Sequence, residues 1–171
     1  MGCDEVWEAA LTGPVSATIV ATQTEVVTNL ALGLTGWTTG RVSRLEWAFG
    51  DGPTVTNVGY QTSHAWTNTG DYTVTLTAFN TDHPTGVSTN LPIHVVPLEL
   101  PVLAPGGMSS NSFQLTFGSQ AGVNYVVECA TNLSSPVLWQ TLQSLSSTGG
   151  VIEVRDSNLT NDVRFYRVRM P

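Results

Sequence analysis

The stretch EWAFGDG, Glu46–Gly52, decides how the rest of the chain is read. It closes an alternating run in which Leu45, Trp47 and Phe49 share one side and Arg44, Glu46 and Ala48 the other. Side chains alternate faces along a strand, so the run predicts a strand that buries two large rings and stops at glycine. The Gly-Asp-Gly that follows suits a phosphate cradle, a metal loop or a turn. A phosphate cradle needs a lysine and a helix N-terminus behind it; the chain has no lysine, and more strand-like sequence follows. A calcium loop gathers several carboxylates at close spacing, and this stretch offers one Asp, Asp51, which could combine with Glu46, Asp71 or backbone carbonyls. A hairpin needs only that Gly50 and Gly52 accept positive φ and that Asp51 takes hydrogen bonds from local backbone N–H groups. The turn is the expectation. Calcium, with Asp51 and Asp71 as candidate ligands, is the alternative.

Outward from this stretch, period-two alternation continues. GPVSATIV aligns Val15, Ala17 and Ile19, and VTNLALGLTG aligns Leu30, Leu32 and Leu34. GDYTVTLTAFN is the most regular, with Tyr72, Val74, Leu76 and Ala78 opposing Thr73, Thr75, Thr77 and Phe79. GVSTNLPIHVV groups Val87, Leu91, Ile93 and Val95, turns His94 outward, and carries Pro92, which predicts an edge strand. Three prolines then break the pattern in VVPLELPVLAPGG, Val95–Gly107. A second series follows in SFQLTFG, VNYVVECAT, VLWQTLQSL, GVIEVRD and VRFYRVRM. The last of these sets Tyr166, Val168 and Met170 against Phe165, Arg167 and Arg169. CDEVWEAAL, Cys3–Leu11, is the sole helical candidate and reads equally well as a loop. The expectation is an all-β chain of two consecutive β-sandwiches, with a lead-in at 1–13, a first domain at 14–97 and a smaller one at 98–171.

Composition narrows the chemistry. The 171 residues suffice for one large or two small domains, and only 11% are charged. All six basic residues are arginine. Without lysine, no lysine isopeptide staple or Schiff base can form. A net charge of −7 disfavours nucleic acid and anionic membrane, although four arginines fall within Arg155–Arg169. Cys3 and Cys129 lie in different predicted segments, which gives no disulfide framework. Cys129 shares its side with Tyr125 and Val127 and reads as a small buried hydrophobe. No signal peptide or membrane span is visible, and the abrupt start fits a piece of a longer chain.

Three stretches carry a family resemblance: WAFGDG (Trp47–Gly52), HAW (His64–Trp66) and GDYTVTLTAFN (Gly70–Asn80). In order and spacing this region resembles the PKD (polycystic kidney disease-type) domain, whose pattern runs W-D-F-G-D-G, H-x-Y, G-x-Y-x-V-x-L and a final Asn. The resemblance implies an immunoglobulin-like β-sandwich whose motif residues are Trp47, Phe49, Gly50, Asp51, Gly52, His64, Trp66, Gly70, Tyr72 and Asn80. Ala48 replaces the family's first Asp, and Trp66 replaces its Tyr. The region after residue 97 is similar to short C-terminal β-domains, ending in RFYRVR, of large bacterial secreted or surface proteins, and implies a fibronectin-like sandwich. MGCDEVWEAALTG resembles the lead-in that such proteins place before their PKD-like modules.

Candidate sites follow residue by residue. His64, His83 and His94 are separated by nineteen and eleven residues, which matches no zinc motif. His64 is expected to bond backbone near the Gly-Asp-Gly turn. No activated serine elbow is present, and a sandwich of this size seldom offers the cleft that paired carboxylates need. Arg155, Arg164, Arg167 and Arg169 read as a salt-bridged face with Asp156, Asp162 and Glu153, or else as a ligand patch. Trp37, in TGWTTG, and Trp7 read as rings in loop-like surroundings, and Phe79 and Phe165 as rings that alternate outward on strands. These scattered rings suit either a ligand platform or the covering of an interdomain junction. The expectation is a non-catalytic extracellular module pair, a spacer or adhesion element of a larger secreted or surface protein, without a cofactor. Its partners are other domains of the same polypeptide, or an extracellular protein or polysaccharide. Two alternatives stand beside it: a carbohydrate-binding module using Trp37, Arg167 and Arg169, and a calcium-stiffened linker.

Overall fold

The computed structural model describes residues 11–56, 59–159 and 163–171, and every regular element among them is a β-strand. Most of the helical candidate Cys3–Leu11 lies outside the described residues, as do Cys3 and Trp7. Close contacts divide the chain into two compact units. The first runs to Glu25 and resumes over Ala31–Val95; the second holds Val26–Leu30 and Val96–Pro171.

Eight strands precede Pro97: β1 (Ser16–Ala21), β2 (Glu25–Val27), β3 (Leu32–Thr39), β4 (Arg44–Ala48), β5 (Val55–Thr56), β6 (Gln61–His64), β7 (Gly70–Phe79) and β8 (Val87–Val96). They form a three-stranded sheet, β1-β3-β6, and a five-stranded sheet, β2-β8-β7-β4-β5. Alternation does what the sequence predicts: Leu32 and Leu34 face inward from the first sheet, and Leu45, Trp47, Val74, Leu76, Ala78, Ile93 and Val95 from the second. The two sheets approach most tightly at Gly36. A Cβ there would lie 2.6 Å from Leu76 Cδ2 and 3.0 Å from Trp47 Cζ2, so only glycine lets the indole lie against β3.

Two readings need correction here. Leu30 does not share a strand with Leu32 and Leu34; it sits before β3 and packs on the second unit's core. β8 is not at the edge of its sheet, because β2 flanks it. The flank is short, however: His94 N–H donates to Thr24 O and Thr28 N–H to Val96 O. Residues two apart along a strand send their amides the same way. Pro92 therefore aims its ring nitrogen away from β7, where no N–H is needed, and still pairs in register with Thr73.

The second unit adds β9 (Ala104–Ser109), β10 (Ser112–Ser119), β11 (Asn124–Ala130), β12 (Gln140–Ser146), β13 (Gly150–Asp156) and β14 (Phe165–Arg169). Its sheets are β13-β10-β9 and β12-β11-β14. β9 begins within the proline-bearing stretch that breaks the alternation, Val95–Gly107. The segment before β9 is also held, since the Gln120 side chain donates to Pro97 O and accepts from Glu99 N–H. The core gathers Leu115, Phe117, Val123, Tyr125, Val127 and Val154, and Val27 joins them at 3% exposure. Val27 at the end of β2 and Leu30 beyond it thus complete an apolar core whose other buried members lie between Leu115 and Val154, an arrangement that no local pattern announces.

Truncating Val27 to Ala in the full chain should remove about 2 kcal/mol from the second unit, through lost transfer energy and the small cavity left behind. Urea unfolding followed by tyrosine and tryptophan fluorescence would measure this. An unchanged midpoint would mean that Val27 does not belong to that core.

Candidate functional site

The family-like motif assembles into one aromatic stack. Phe49 lies flat on the His64 ring, with centroids 4.2 Å apart and 1° between planes. His64 meets Trp66 edge-on at 4.7 Å, and Trp66 continues to Tyr72 at 5.9 Å. On the other side Phe49 stacks toward Trp47. The polar atoms of these rings are satisfied from nearby backbone: Trp47 Nε1–H donates to Gly59 O, Trp66 Nε1–H to Phe49 O and Tyr72 O–H to Asn68 O. A tryptophan at position 66, in place of the family's tyrosine, thus uses its single donor inside a fully buried site.

Among the described residues Asp51 accepts no bond from the local backbone that the sequence suggests it would cap. Its Oδ2 lies 2.8 Å from His64 Nε2, so the histidine bonds a carboxylate and not main chain. The physical reason is the turn itself. Gly50 takes φ +87°, and a Cβ there would lie 3.1 Å from Thr73 N, whereas Gly52 needs no positive φ; the turn points Asp51 across to β6. Asp71 is engaged by a different histidine, with Oδ1 2.6 Å from His94 Nδ1 across the β7–β8 pair. The two calcium candidates are thereby placed on separate histidines. Among the described residues no three His, Cys, Asp or Glu side chains gather to hold a metal ion. Asn80, the motif's last member, is buried elsewhere; it donates to Gly13 O and accepts from His83 N–H. Gly70 opens β7 at φ +148°.

In the second unit two buried carboxylates, Asp156 and Glu128, each gather charged or polar partners. Asp156 is fully buried and accepts from Arg164 Nη1, from Tyr166 O–H at 3.0 Å and from Asn158 N–H at 2.9 Å. Burial pushes its carboxyl upward, but the Asn158 amide, the Arg164 guanidinium and the Tyr166 hydroxyl outweigh this and hold it below the usual range. Burial and Asp156 push the Tyr166 hydroxyl up to about 12. Arg164, despite burial, is held above its ordinary value by Asp156. Glu128, 6% exposed on β11, accepts from Arg167 Nε at 2.6 Å and Arg169 Nε at 3.2 Å, and these bonds overcome burial to lower its pKa. Arg167 also lies 4.2 Å above the Trp139 ring.

Residues 14–95 match the model of the PKD domain. This part of the chain is a PKD domain. No curated protein matches the chain. Among solved structures, it is similar to carbohydrate-binding modules from the β-sandwich superfamily, at 12% identity over 92% of this chain and 96% of that one, with a TM-score of 0.44. It is also similar to fibronectin(III)-like modules of Clostridium thermocellum CbhA, at 13% identity over 83% and 80%, with a TM-score of 0.44. A two-domain fibronectin type III segment of chicken tenascin aligns at 10% identity over 90% and 98%, with a TM-score of 0.34.

Several predicted positions fall differently from their sequence reading. Trp37 is not in a loop of the PKD domain but on β3, and stands 64% exposed. Phe79 is outward as read, with the Arg44 guanidinium 3.9 Å above its ring. Phe165 is half-buried. The partner of Arg167 and Arg169 is Glu128, since β14 pairs with β11 and sets Glu128 opposite Arg167; Glu153 instead lies near Arg155, at 3.8 Å. Asp162 lies outside the described residues. Two signals for the buried clusters were available in the sequence. Asp156 continues the inward parity of Ile152 and Val154, and Glu128 interrupts an otherwise apolar run.

Both carboxyls bind protons more weakly folded than unfolded, so their contribution is complete above their ordinary values of 3.8 and 4.5 and declines as pH falls through and below that window. Tyr166 acts in the opposite direction, and stability declines as pH rises from 10 towards 12. Asp156→Asn leaves Arg164 buried without its counter-ion and should cost about 3–5 kcal/mol at neutral pH. It should also flatten the acid limb of the stability curve. Urea unfolding at pH 7 and pH 3 reads both effects, and a variant as stable as the parent at pH 7 would contradict this account.

Proposed function

We propose that the chain is a non-catalytic module pair of an extracellular protein, serving as spacer and interaction element between other domains of the same polypeptide. The observation that supports this reading most directly is where the ionisable groups go. Asp51, Asp71, Glu128 and Asp156 are each bonded to a histidine or arginine of their own unit. General acid–base chemistry needs such a group aimed at a substrate, not held in a structural pair. The PKD assignment agrees, because these domains usually occur in extracellular proteins. Among the described residues no helix is long and apolar enough to cross a membrane.

Of the two His–Asp pairs among the described residues, Asp51–His64 is the less exposed, and it gives the test. The intact chain should release no product above buffer from ester, peptide, glycoside and phosphate test substrates. Turnover that disappears in His64→Ala would overturn the non-catalytic reading. His64→Ala should instead lower thermal stability by about 1–3 kcal/mol, through the lost Phe49 stack and the unpaired Asp51.

A further inference from the structure

The outward face of the β1-β3-β6 sheet carries one large ring without a partner. Trp37 stands mid-sheet yet is 64% exposed, and among the described residues its indole has neither a hydrogen-bond partner nor a ring contact. The chain's other described tryptophans are all covered: Trp47 and Trp66 are buried, and Trp139 lies under Arg167. Trp37 faces Thr18 across the β1–β3 pair. On its other flank, the bond from Gly36 N–H to Tyr60 O brings Gly59 alongside, and a Cβ at Gly59 would meet nothing within 4 Å. Both sides of the ring are therefore flanked by small groups.

Strand parity puts Ser16, Thr18, Thr35, Thr39, Gln61 and Ser63 on the same face as Trp37, with Val20 as an apolar companion. The only ionisable side chain in these three strands is His64, which turns to the core side. This face is neutral and rich in hydroxyl and amide groups, on a chain whose net charge is −7. A protein hot spot of this size has its central ring sealed by close-packed neighbours that exclude water. Here the neighbours are short and polar, which suits a partner that presents a C–H face to the indole and hydroxyls to the surrounding side chains. An anionic polymer would find no cation on this face and an overall repulsive field.

We propose that this face binds a neutral polysaccharide, with a sugar ring stacked on Trp37 and the flanking hydroxyl and amide side chains hydrogen-bonding along the sheet. The proposal rests on the non-catalytic reading above and names the partner of that module. Native affinity electrophoresis of the intact chain would be run in gels containing xylan, laminarin or hydroxyethyl cellulose, and alginate as the acidic comparison. At least one neutral gel should retard the parent, alginate should not, and Trp37→Ala should bind at least about tenfold more weakly. Trp37→Phe, which keeps a smaller ring, should retain part of the retardation. A nearly unchanged circular-dichroism melt for Trp37→Ala is expected, because the residue is 64% exposed and makes no hydrogen bond or ring contact among the described residues. Absence of retardation in all three neutral gels, equal retardation of Trp37→Ala, or stronger retardation by alginate would overturn the proposal. New reducing ends in parallel incubations with the same polymers would overturn the non-catalytic reading instead, so the two failures are separable.

Discussion

The indole of Trp47 is one of the two largest groups that the PKD domain buries, and it comes with an N–H that needs an acceptor away from water. The domain is arranged so that both needs are met. Its ring enters between the sheets where Gly36 carries no side chain, and its N–H reaches the carbonyl of Gly59. Phe49, two residues on, extends the buried face and carries the stack to His64 at the end of β6 and to Trp66 just beyond it. Because Phe49 sits on the strand that ends in the turn and His64 on the opposite sheet, this stack and the Asp51–His64 bond fix where the turn lies against β6. A structural purpose for the Gly-Asp-Gly sequence follows from that geometry: it carries a short acidic side chain to a histidine at the sheet edge.

The second unit meets a different constraint. Its central strand, β11, is buried along nearly its whole length, so both of its faces must be covered. Tyr125 and Val127 serve the apolar core on one side. On the other, Glu128 is covered by Arg167 and Arg169, whose guanidinium groups both satisfy the carboxylate and shield it from water. At the end of β13, Asp156 plays the complementary part, closing the sandwich with Arg164 and Tyr166. Buried ion pairs of this kind seldom add net stability relative to apolar replacements. What they give here is orientation: Glu128, bonded to two arginines of β14, specifies that β14 lies beside β11, and Asp156 ties the end of β13 to Arg164 and Tyr166 at the start of β14.

Alternation made the strands legible. Side-chain period two, carried by Leu45–Trp47–Phe49 and Tyr72–Val74–Leu76–Ala78, is a direct consequence of strand geometry and survives folding unchanged. Motif spacing made the PKD domain legible for the same reason, since the ring positions are fixed by local parity. The sequence signal failed where a neighbour in space, not in sequence, set the outcome. TGWTTG looked like a loop because its glycines and threonines dominate the window, yet pairing with β1 and β6 makes it a strand. Val27 and Leu30 looked like part of the first sandwich, yet apolar surface from Leu115 to Val154 claims them.

What the sequence determined by itself is therefore the all-β class, the inward-facing residues of most strands, and the absence of chemistry that depends on lysine. Each of these rests on composition or on short-range periodicity. Tertiary structure alone decided that Asp51 bonds His64, that Glu128 rather than Glu153 holds the two arginines, and that Trp37 stands uncovered on a neutral sheet face. Those outcomes depend on strand order and register, which set pairs dozens of residues apart against one another and which no local pattern encodes.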